Sequence, residues 1–149
     1  MIEERRFARS SAMRLLYSWS MGDEEQLTTL KMLYEDGNMT LDAGQQRYID
    51  RIIDGVKANL TDIDRHIDSL AEGWSAERLP KVDLAILRLG IFELGWCEEI
   101  PAGATINECV ELAKEYSVPQ SGAYINGILS SYERSRQAGA DESKQTEQQ

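Results

Sequence analysis

Cysteine, histidine and proline are scarce in this chain. Its 149 residues include two cysteines, one histidine and three prolines. Two cysteines are too few for the disulfide framework of a small secreted domain. Three cysteine and histidine residues in all, far apart in sequence, do not supply the clustered ligands of a structural zinc site. Because proline interrupts helices, its rarity leaves long stretches in which helices can form. We therefore expect a helical protein without a bound metal.

Long apolar runs are also missing. No stretch approaches the roughly 18 consecutive apolar residues that a transmembrane helix needs. Arg5 and Arg6 are not followed by the apolar segment of a signal peptide. We expect a cytoplasmic protein that does not enter a membrane.

Motifs of enzyme active sites are absent as well. The sequence contains none of the glycine-rich phosphate-binding motifs and no Gly-x-Ser-x-Gly nucleophile motif. Asp62, Asp64 and Asp68 lie close together, but carboxylates on a polar helix face are usually solvated, and acid–base chemistry needs a cleft. The lone His66 lies beside an apolar stripe, where a structural or surface role is far more common than catalysis. We predict that the chain is not an enzyme and needs no cofactor.

Basic residues are outnumbered by acidic ones. Sixteen lysines and arginines stand against 26 aspartates and glutamates, which gives a net charge of −10. Because phosphate contacts need cationic side chains, this balance alone argues against nucleic-acid binding. The first 16 residues, however, hold four arginines and two glutamates, so the rest of the chain carries −12. This basic end of an acidic body is either a solvated helix face or a phosphate-binding surface.

Apolar residues recur with helical spacing along most of the chain. The spacing predicts an all-α fold, a single-domain bundle of about seven helices. Thr61, Thr105 and Ser121 are the predicted N-caps of the fourth, sixth and seventh helices. The predicted helices cover residues 5–19, 24–36, 42–59, 61–72, 79–96, 105–118 and 121–136.

The fifth predicted helix differs from the others because it is apolar on nearly all its faces between Val82 and Trp96. This pattern predicts a central, buried helix. After Arg136 the chain is almost entirely polar and cannot bury enough apolar surface to become ordered. We therefore assign residues 1–136 to one helical domain and residues 137–149 to a disordered polar tail.

Two groups of residues are candidates for binding RNA. On the first helix, Arg5, Arg6 and Arg9 are spaced by three and four residues, so they lie on neighbouring faces and can contact successive phosphates. In the second group, Tyr116 and Tyr124 flank a short loop. If exposed, these rings can stack on unpaired bases; otherwise both are core residues with hydrogen-bonded hydroxyls. The spacing alone favours the second interpretation.

Three blocks of the sequence resemble the NusB family of transcription antitermination proteins. Together they span about residues 5–133, and their order and spacing are more specific than any one block. The blocks are RRFAR at 5–9 with LYSW at 16–19, VDLAILRL at 82–89 with FEL at 92–94, and IP at 100–101 with INE at 106–108, VELAK at 110–114 and YINGIL at 124–129.

The resemblance implies a seven-helix NusB-like fold and a non-catalytic adaptor. NusB-like proteins bind the boxA element of nascent ribosomal RNA transcripts together with the ribosomal protein NusE, and they act in the transcribing RNA polymerase complex with other Nus factors. The resemblance carries RNA binding over to Arg5, Arg6, Arg9, Tyr116, Ser121, Tyr124 and Asn126. It carries NusE binding over to Tyr17, Met21, Glu77 and Asp83. An acidic surface suits a basic ribosomal protein.

Departures from the family pattern leave alternatives open. Ala123 stands where some family members have lysine. Phe7 follows Arg5 and Arg6 at a position where the family can have a third consecutive arginine. Both changes remove possible phosphate contacts, so RNA binding by this chain alone is expected to be weak, with NusE supplying further basic surface. The alternatives are a homodimeric helical module that masks its RNA site, and a stand-alone relative of the NusB-like domain of RNA methyltransferases.

Overall fold

A computed structural model describes residues 2–22, 41–71 and 78–147, with side chains from residue 5 to residue 140 within these ranges. The described residues form six α-helices and no strand, which confirms the predicted all-α class. The helices are α1 Ile2–Ser20, α2 Ala43–Ala58, α3 Leu60–Leu70, α4 Lys81–Trp96, α5 Ala102–Tyr116 and α6 Ser121–Glu147. The predicted helix over 24–36 lies outside the described residues.

Helix α4 is the centre of the bundle, as its all-round apolar pattern predicted. It packs against each of the other five helices. Its apolar side chains from Leu84 to Leu94 are all buried. Around it, α1 packs on α2, and α5 packs on α6. Because the middle of α4 is enclosed by the other helices, a charged side chain there needs a partner inside the fold.

Two glycines allow helices to approach α4 closely. A Cβ at Gly55 of α2 would lie 2.1 Å from the Phe92 ring, and one at Gly90 of α4 would lie 2.9 Å from Leu129 of α6. A methyl group at either position would collide with a buried side chain. These contacts fix the distance of α2 and α6 from the central helix.

Helix starts differ from the sequence prediction at two of the predicted caps. Helix α3 begins at Leu60 after Asn59, and α5 begins at Ala102 after Pro101, so Thr61 and Thr105 both lie inside helices. Proline suits the start of a helix because its missing N–H needs no partner there, which moves the start of α5 forward. The predicted N-caps at Thr61 and Thr105 are therefore wrong.

Helix α2 shows the capping arrangement that the two threonines lack. The Asp42 carboxylate accepts a hydrogen bond from the Gln45 backbone N–H at 2.7 Å, and the Gln45 side chain accepts one from the Asp42 N–H at 2.9 Å. This reciprocal pair satisfies two backbone donors that the helix itself cannot. These bonds fix the start of α2, where Asp42 and Gln45 line a surface groove.

The structure continues α6 to Glu147, through a segment for which the sequence predicted disorder. The last buried side chain of α6 is Tyr132, and residues 137–140 are exposed. Local bonds support the helix beyond that point, because Glu133 accepts hydrogen bonds from Arg136 and Gln137. The segment is thus helical up to Glu147 but adds no buried side chain in its described part. None of the described helices combines the length and the apolar character that crossing a membrane requires.

Candidate nucleic-acid interface

The three arginines predicted to form one phosphate-binding cluster point to three different partners. Arg9 is 4% exposed, and its guanidinium donates to both carboxylate oxygens of Glu93, at 2.8 and 2.9 Å. Helix α1 turns this side chain inward because Arg9 shares its face with the buried Met13 and Leu16. In this conformation the Arg9 side chain is therefore not accessible to a phosphate, and the contact that the sequence predicted stays a prediction.

Glu93 is the acceptor at the centre of a buried polar cluster. It is fully buried on α4 and accepts hydrogen bonds from Arg9, from the Tyr48 hydroxyl and, at 2.9 Å, from the Thr105 hydroxyl. Burial by itself lowers the pKa of Arg9, but the hydrogen bonds and charge of Glu93 outweigh it and raise that pKa. Burial and then the charge of Glu93 raise the pKa of Tyr48. The cluster joins α1, α2, α4 and α5 through one carboxylate.

Arg6 lies at the surface in an ion pair with α5. Its Nε and Nη2 donate to the two carboxylate oxygens of Glu108 at 2.9 and 2.8 Å. The Arg6 side chain is 53% exposed, whereas that of Glu108 is 11% exposed. The hydrogen bonds from Arg6 lower the pKa of Glu108. Arg6 therefore remains accessible to an anion, although Glu108 already balances its charge.

Arg5 is exposed and lies over the ring of Tyr48, 4.6 Å from the ring centroid. It opens onto a groove of about 890 Å³ between α1, the start of α2 and the start of α5. Three further arginines and three acidic residues contribute to the wall of this groove: Arg9, Arg47, Arg51, Asp42, Glu99 and Glu108. Arg9 forms an ion pair with Glu93, and Arg51 forms one with Glu99. Among the described residues, no ion pair with a carboxylate is seen for the other two arginines of this wall, Arg5 and Arg47.

Tyr116 lies against α1, and sequence reasoning missed the two residues that hold it there. Its half-buried hydroxyl lies 2.9 Å from the Ser10 hydroxyl and accepts a hydrogen bond from Arg14 at 2.6 Å. The Arg14 guanidinium also lies over the Tyr116 ring, 5.1 Å from its centroid. The sequence did contain a signal for this contact: Arg6, Ser10 and Arg14 are four residues apart and therefore lie on one face of α1. We call the residues Arg6, Ser10, Arg14, Glu108 and Tyr116 the α1–α5 surface.

Ser121 and Asp83, predicted to bind RNA and a protein partner respectively, are bonded to each other. Asp83 is 3% exposed and accepts hydrogen bonds from the hydroxyls of Ser117, at 2.6 Å, and Ser121, at 2.8 Å. Ser121 is also 3% exposed. In this conformation neither side chain is therefore accessible to a partner, and the predicted contacts of Ser121 with RNA and of Asp83 with a protein stay predictions. Their bonds instead fix the loop that precedes α6 to the start of α4.

The other predicted residues of this segment lie on α6. Tyr124 is half buried, and its hydroxyl is enclosed without a hydrogen-bond partner in the described part of the chain. Burial, and then the charge of Asp83, raise the pKa of Tyr124. Asn126 is exposed, and its side-chain oxygen accepts a hydrogen bond from Ser130 at 2.9 Å. Of the predicted RNA-binding residues, Arg5, Arg6 and Asn126 are exposed.

The residues predicted to bind a protein partner are only partly within the described structure. Tyr17 is half buried near the end of α1, and Met21 is 53% exposed directly after it. Glu77 lies outside the described residues. With Asp83 buried, Met21 is the accessible apolar residue of this predicted site.

The aspartates and the histidine singled out in the sequence form ion pairs or lie on the surface. Asp64 accepts two hydrogen bonds from Arg88, and Asp62 pairs with Arg65. His66 is exposed and contacts the Tyr132 ring edge-on. Within residues 5–22, 41–71 and 78–140, no three histidine, cysteine or acidic side chains are grouped as metal ligands.

Comparison with known proteins identifies a family. The model of the NusB family matches residues 6–134. The transcription antitermination protein NusB of Ruminiclostridium cellulolyticum is 39% identical over 125 residues, which covers 84% of this chain and 85% of the relative. The protein of the same name from Clostridium novyi is 38% identical over 125 residues, with 84% of this chain and 94% of the relative covered.

Solved structures show the same fold. The structure of T. maritima NusB superposes with a TM-score of 0.78 at 35% identity, covering 87% of this chain and 90% of that one. A crystal structure of the antitermination factors NusB and NusE in complex with dsRNA contains a chain that is 28% identical, also with a TM-score of 0.78. That match covers 91% of this chain and 99% of the other.

Proposed function

Because this chain belongs to the NusB family of transcription antitermination proteins, we propose that it binds the boxA element of nascent ribosomal RNA transcripts together with NusE. The family is non-catalytic, so the chain is not an enzyme. It acts as an adaptor between RNA and protein within the transcribing polymerase complex that carries other Nus factors. Its place of action is the cytoplasm.

The observation that carries the RNA-binding proposal is the arrangement of α1 against α5. Arg5, Arg6 and Arg14 are exposed on α1, and Arg14 holds Tyr116 of α5 at the same surface. Single-stranded RNA is bound by cationic side chains that contact phosphates and by aromatic rings that contact bases. The α1–α5 surface, together with Arg5, provides both kinds of group on a protein that is otherwise strongly acidic.

Arg9 and Ser121 serve this surface indirectly. The Arg9–Glu93 pair fixes α1 against α4. It thereby sets where the side chains of Arg5 and Arg6 project from the protein surface. The Asp83–Ser121 bond holds the loop between Tyr116 and Tyr124. Both are positioning residues, since neither side chain is accessible to RNA. Asn126, one turn further along α6, is exposed and remains a candidate for direct RNA contact.

NusE is proposed to dock at the other end of α1. A structure with the same fold contains NusB and NusE together with RNA, which supports this partner for the present chain. The exposed Met21 supplies an apolar contact, and the half-buried Tyr17 lies one turn before it. We assign Glu77 to the same surface from sequence alone. The acidic body of the chain favours the approach of a basic protein.

The packed domain is proposed to end near Arg136. The last buried side chain of α6 is Tyr132, and residues 137–140 contribute none. We propose that residues 137–149 are a polar extension that the domain does not need. A chain ending at residue 136 should unfold at the same denaturant concentration as the full chain, and a lower midpoint would show that the extension is part of the domain.

Affinity capture tests the proposed function as a whole. The tagged chain is incubated with a bacterial lysate, and the retained fraction is scored for NusE and for ribosomal leader RNA. We expect both to be enriched over a capture with the variant Arg5→Ala/Arg14→Ala, which should retain NusE but less RNA. Capture of neither would contradict the proposal.

A further inference from the structure

Phe7 is a large apolar side chain that the fold leaves in solvent. It is 41% exposed, although it lies on α1 between Arg6 and the buried Ala8. In sequence it interrupts a run of arginines, which suggests only a lost phosphate contact. Its position in the structure indicates a different contribution.

Phe7 belongs to the outer face of α1. Ser10 and Arg14 follow it by three and seven residues, so the three side chains lie along one side of the helix. The opposite side is buried through Ala8, Ala12 and other core residues. Arg14 on this outer face lies over the ring of Tyr116. Phe7 is therefore next to the α1–α5 surface and faces solvent beside its cationic groups.

We propose that Phe7 is a stacking platform for an unpaired base of the RNA whose phosphates are held by the neighbouring arginines. This inference rests on the proposed RNA-binding function and adds a base contact to it. Aromatic rings bind the face of any nucleobase, and such stacking contributes substantially to single-strand affinity. A flexible RNA strand that follows α1 can place phosphates near Arg6 and Arg14 and an unstacked base on the ring between them.

Charge favours RNA over the other candidate occupant, a second copy of this chain. A two-fold interface pairs a surface with itself, so pairing this face would gather Arg6 and Arg14 of both copies in one interface. Like charges placed together across an interface oppose association. An RNA strand meets the same arginines with negative phosphates, and its bases supply the flat apolar surface that Phe7 lacks.

The test uses variants that distinguish the effect of an aromatic ring at position 7 from the effect of any apolar side chain there. Phe7→Leu keeps an apolar side chain without a ring, and Phe7→Trp keeps a ring. Ala138→Leu, at an exposed position of α6 beyond the last buried side chain and outside both proposed binding surfaces, is the control. Each full-length protein is titrated with single-stranded boxA RNA and with a scrambled RNA of equal length at several salt concentrations, and its mass is measured by light scattering.

We expect Phe7→Leu to weaken boxA binding on the order of tenfold without changing the salt dependence, because the phosphate contacts remain. Phe7→Trp should bind as tightly as the wild type or more tightly, and Ala138→Leu should match the wild type. Since the side chain at position 7 is exposed, the variants should fold, and their circular dichroism spectra check this.

Equal boxA affinity of Phe7→Leu and the wild type would overturn the stacking role while leaving the proposed function intact. A dimeric wild type that Phe7→Leu converts to a monomer without loss of RNA affinity would overturn it in favour of a second copy. A wild type that does not prefer boxA over the scrambled RNA would overturn the proposed function itself. The three results are distinguishable because the first two depend on the variants and the third on the wild type alone.

Discussion

Arg9 of α1 and Glu93 of α4 form a bidentate ion pair in the protein interior, with hydrogen bonds of 2.8 and 2.9 Å and side chains that are 5% and 0% exposed. The pair connects the helix that carries the candidate RNA surface to the central helix of the bundle. Its arginine was expected to bind RNA, and its burial assigns it to stability and positioning instead.

Removing Arg9 should therefore destabilise the fold. The substitution Arg9→Ala leaves the Glu93 carboxylate buried without its cationic partner, and breaking a buried pair in this way costs about 3–5 kcal/mol. Urea denaturation followed by circular dichroism measures the loss. Arg65→Ala, which breaks the exposed pair with Asp62, is the control and should shift the midpoint only slightly. Equal shifts for the two variants would refute the structural role of Arg9.

Arg5 should contribute one phosphate contact. It is exposed at the arginine-lined groove, so Arg5→Ala removes one cation from the RNA surface without opening the core. The slope of log Kd against log salt concentration should fall by about 0.7, the value for one contact on a single strand. Arg134→Ala, at an exposed position on α6, should leave the slope as it is. An unchanged slope for Arg5→Ala would remove this residue from the RNA surface.

Asp83 should control the order of the loop at the start of α6. Asp83→Asn weakens the hydrogen bonds from Ser117 and Ser121, each of which is made to a charged acceptor. Such bonds are worth about 1.5–3 kcal/mol each, so the amides of residues 117–121 should exchange hydrogen faster in the variant. Hydrogen exchange measured by mass spectrometry reports this directly. Unaltered exchange in the loop would show that the carboxylate does not hold it.

The Arg6–Glu108 pair should make stability depend on pH in the acidic range. The pKa of Glu108 is lowered from its ordinary value of 4.5 by the hydrogen bonds from Arg6. A carboxyl group with a lowered pKa in the folded state stabilises the protein above the unfolded-state pKa, and this contribution is lost as the pH falls through the folded-state value.

The comparison of wild type with Glu108→Gln across this range tests the pair. Above pH 4.5 the wild type should be more stable, and the difference in unfolding midpoint should shrink as the pH falls below 4.5. The effect should be modest because the Arg6 side chain is half exposed. A difference that stays constant with pH would show that the ionised pair contributes nothing.

The sequence predicted most of the fold because helical spacing is a local property. All six described helices begin within three residues of their predicted starts, and the apolar side chains of α4 from Leu84 to Leu94 are buried, as its pattern indicated. The errors lie where tertiary contacts outweigh local signals. Thr105 resembled a helix cap, but its hydroxyl bonds to Glu93 of a neighbouring helix.

The candidate site was predicted less well because spacing along one helix does not identify partners on another. Arg9 has the spacing of a surface cluster. Glu93, however, is a charged residue in the buried middle of α4, and this was a signal that some cation must be buried beside it. Asp83 at the start of the same helix gave a similar signal for Ser117 and Ser121. Which arginine or serine meets each carboxylate depends on helix packing over more than 30 residues of sequence separation.

The central claim is that this chain binds boxA RNA jointly with NusE, and a fluorescence anisotropy titration tests it most directly. Labelled boxA RNA and a scrambled RNA are each titrated with the chain in the presence and absence of NusE. Because the chain carries a net charge of −10, which repels phosphates, we predict weak boxA binding alone, clearly tighter binding with NusE, and little binding of the scrambled RNA in either case. Equal affinity with and without NusE, or equal affinity for the two RNAs, would contradict the account.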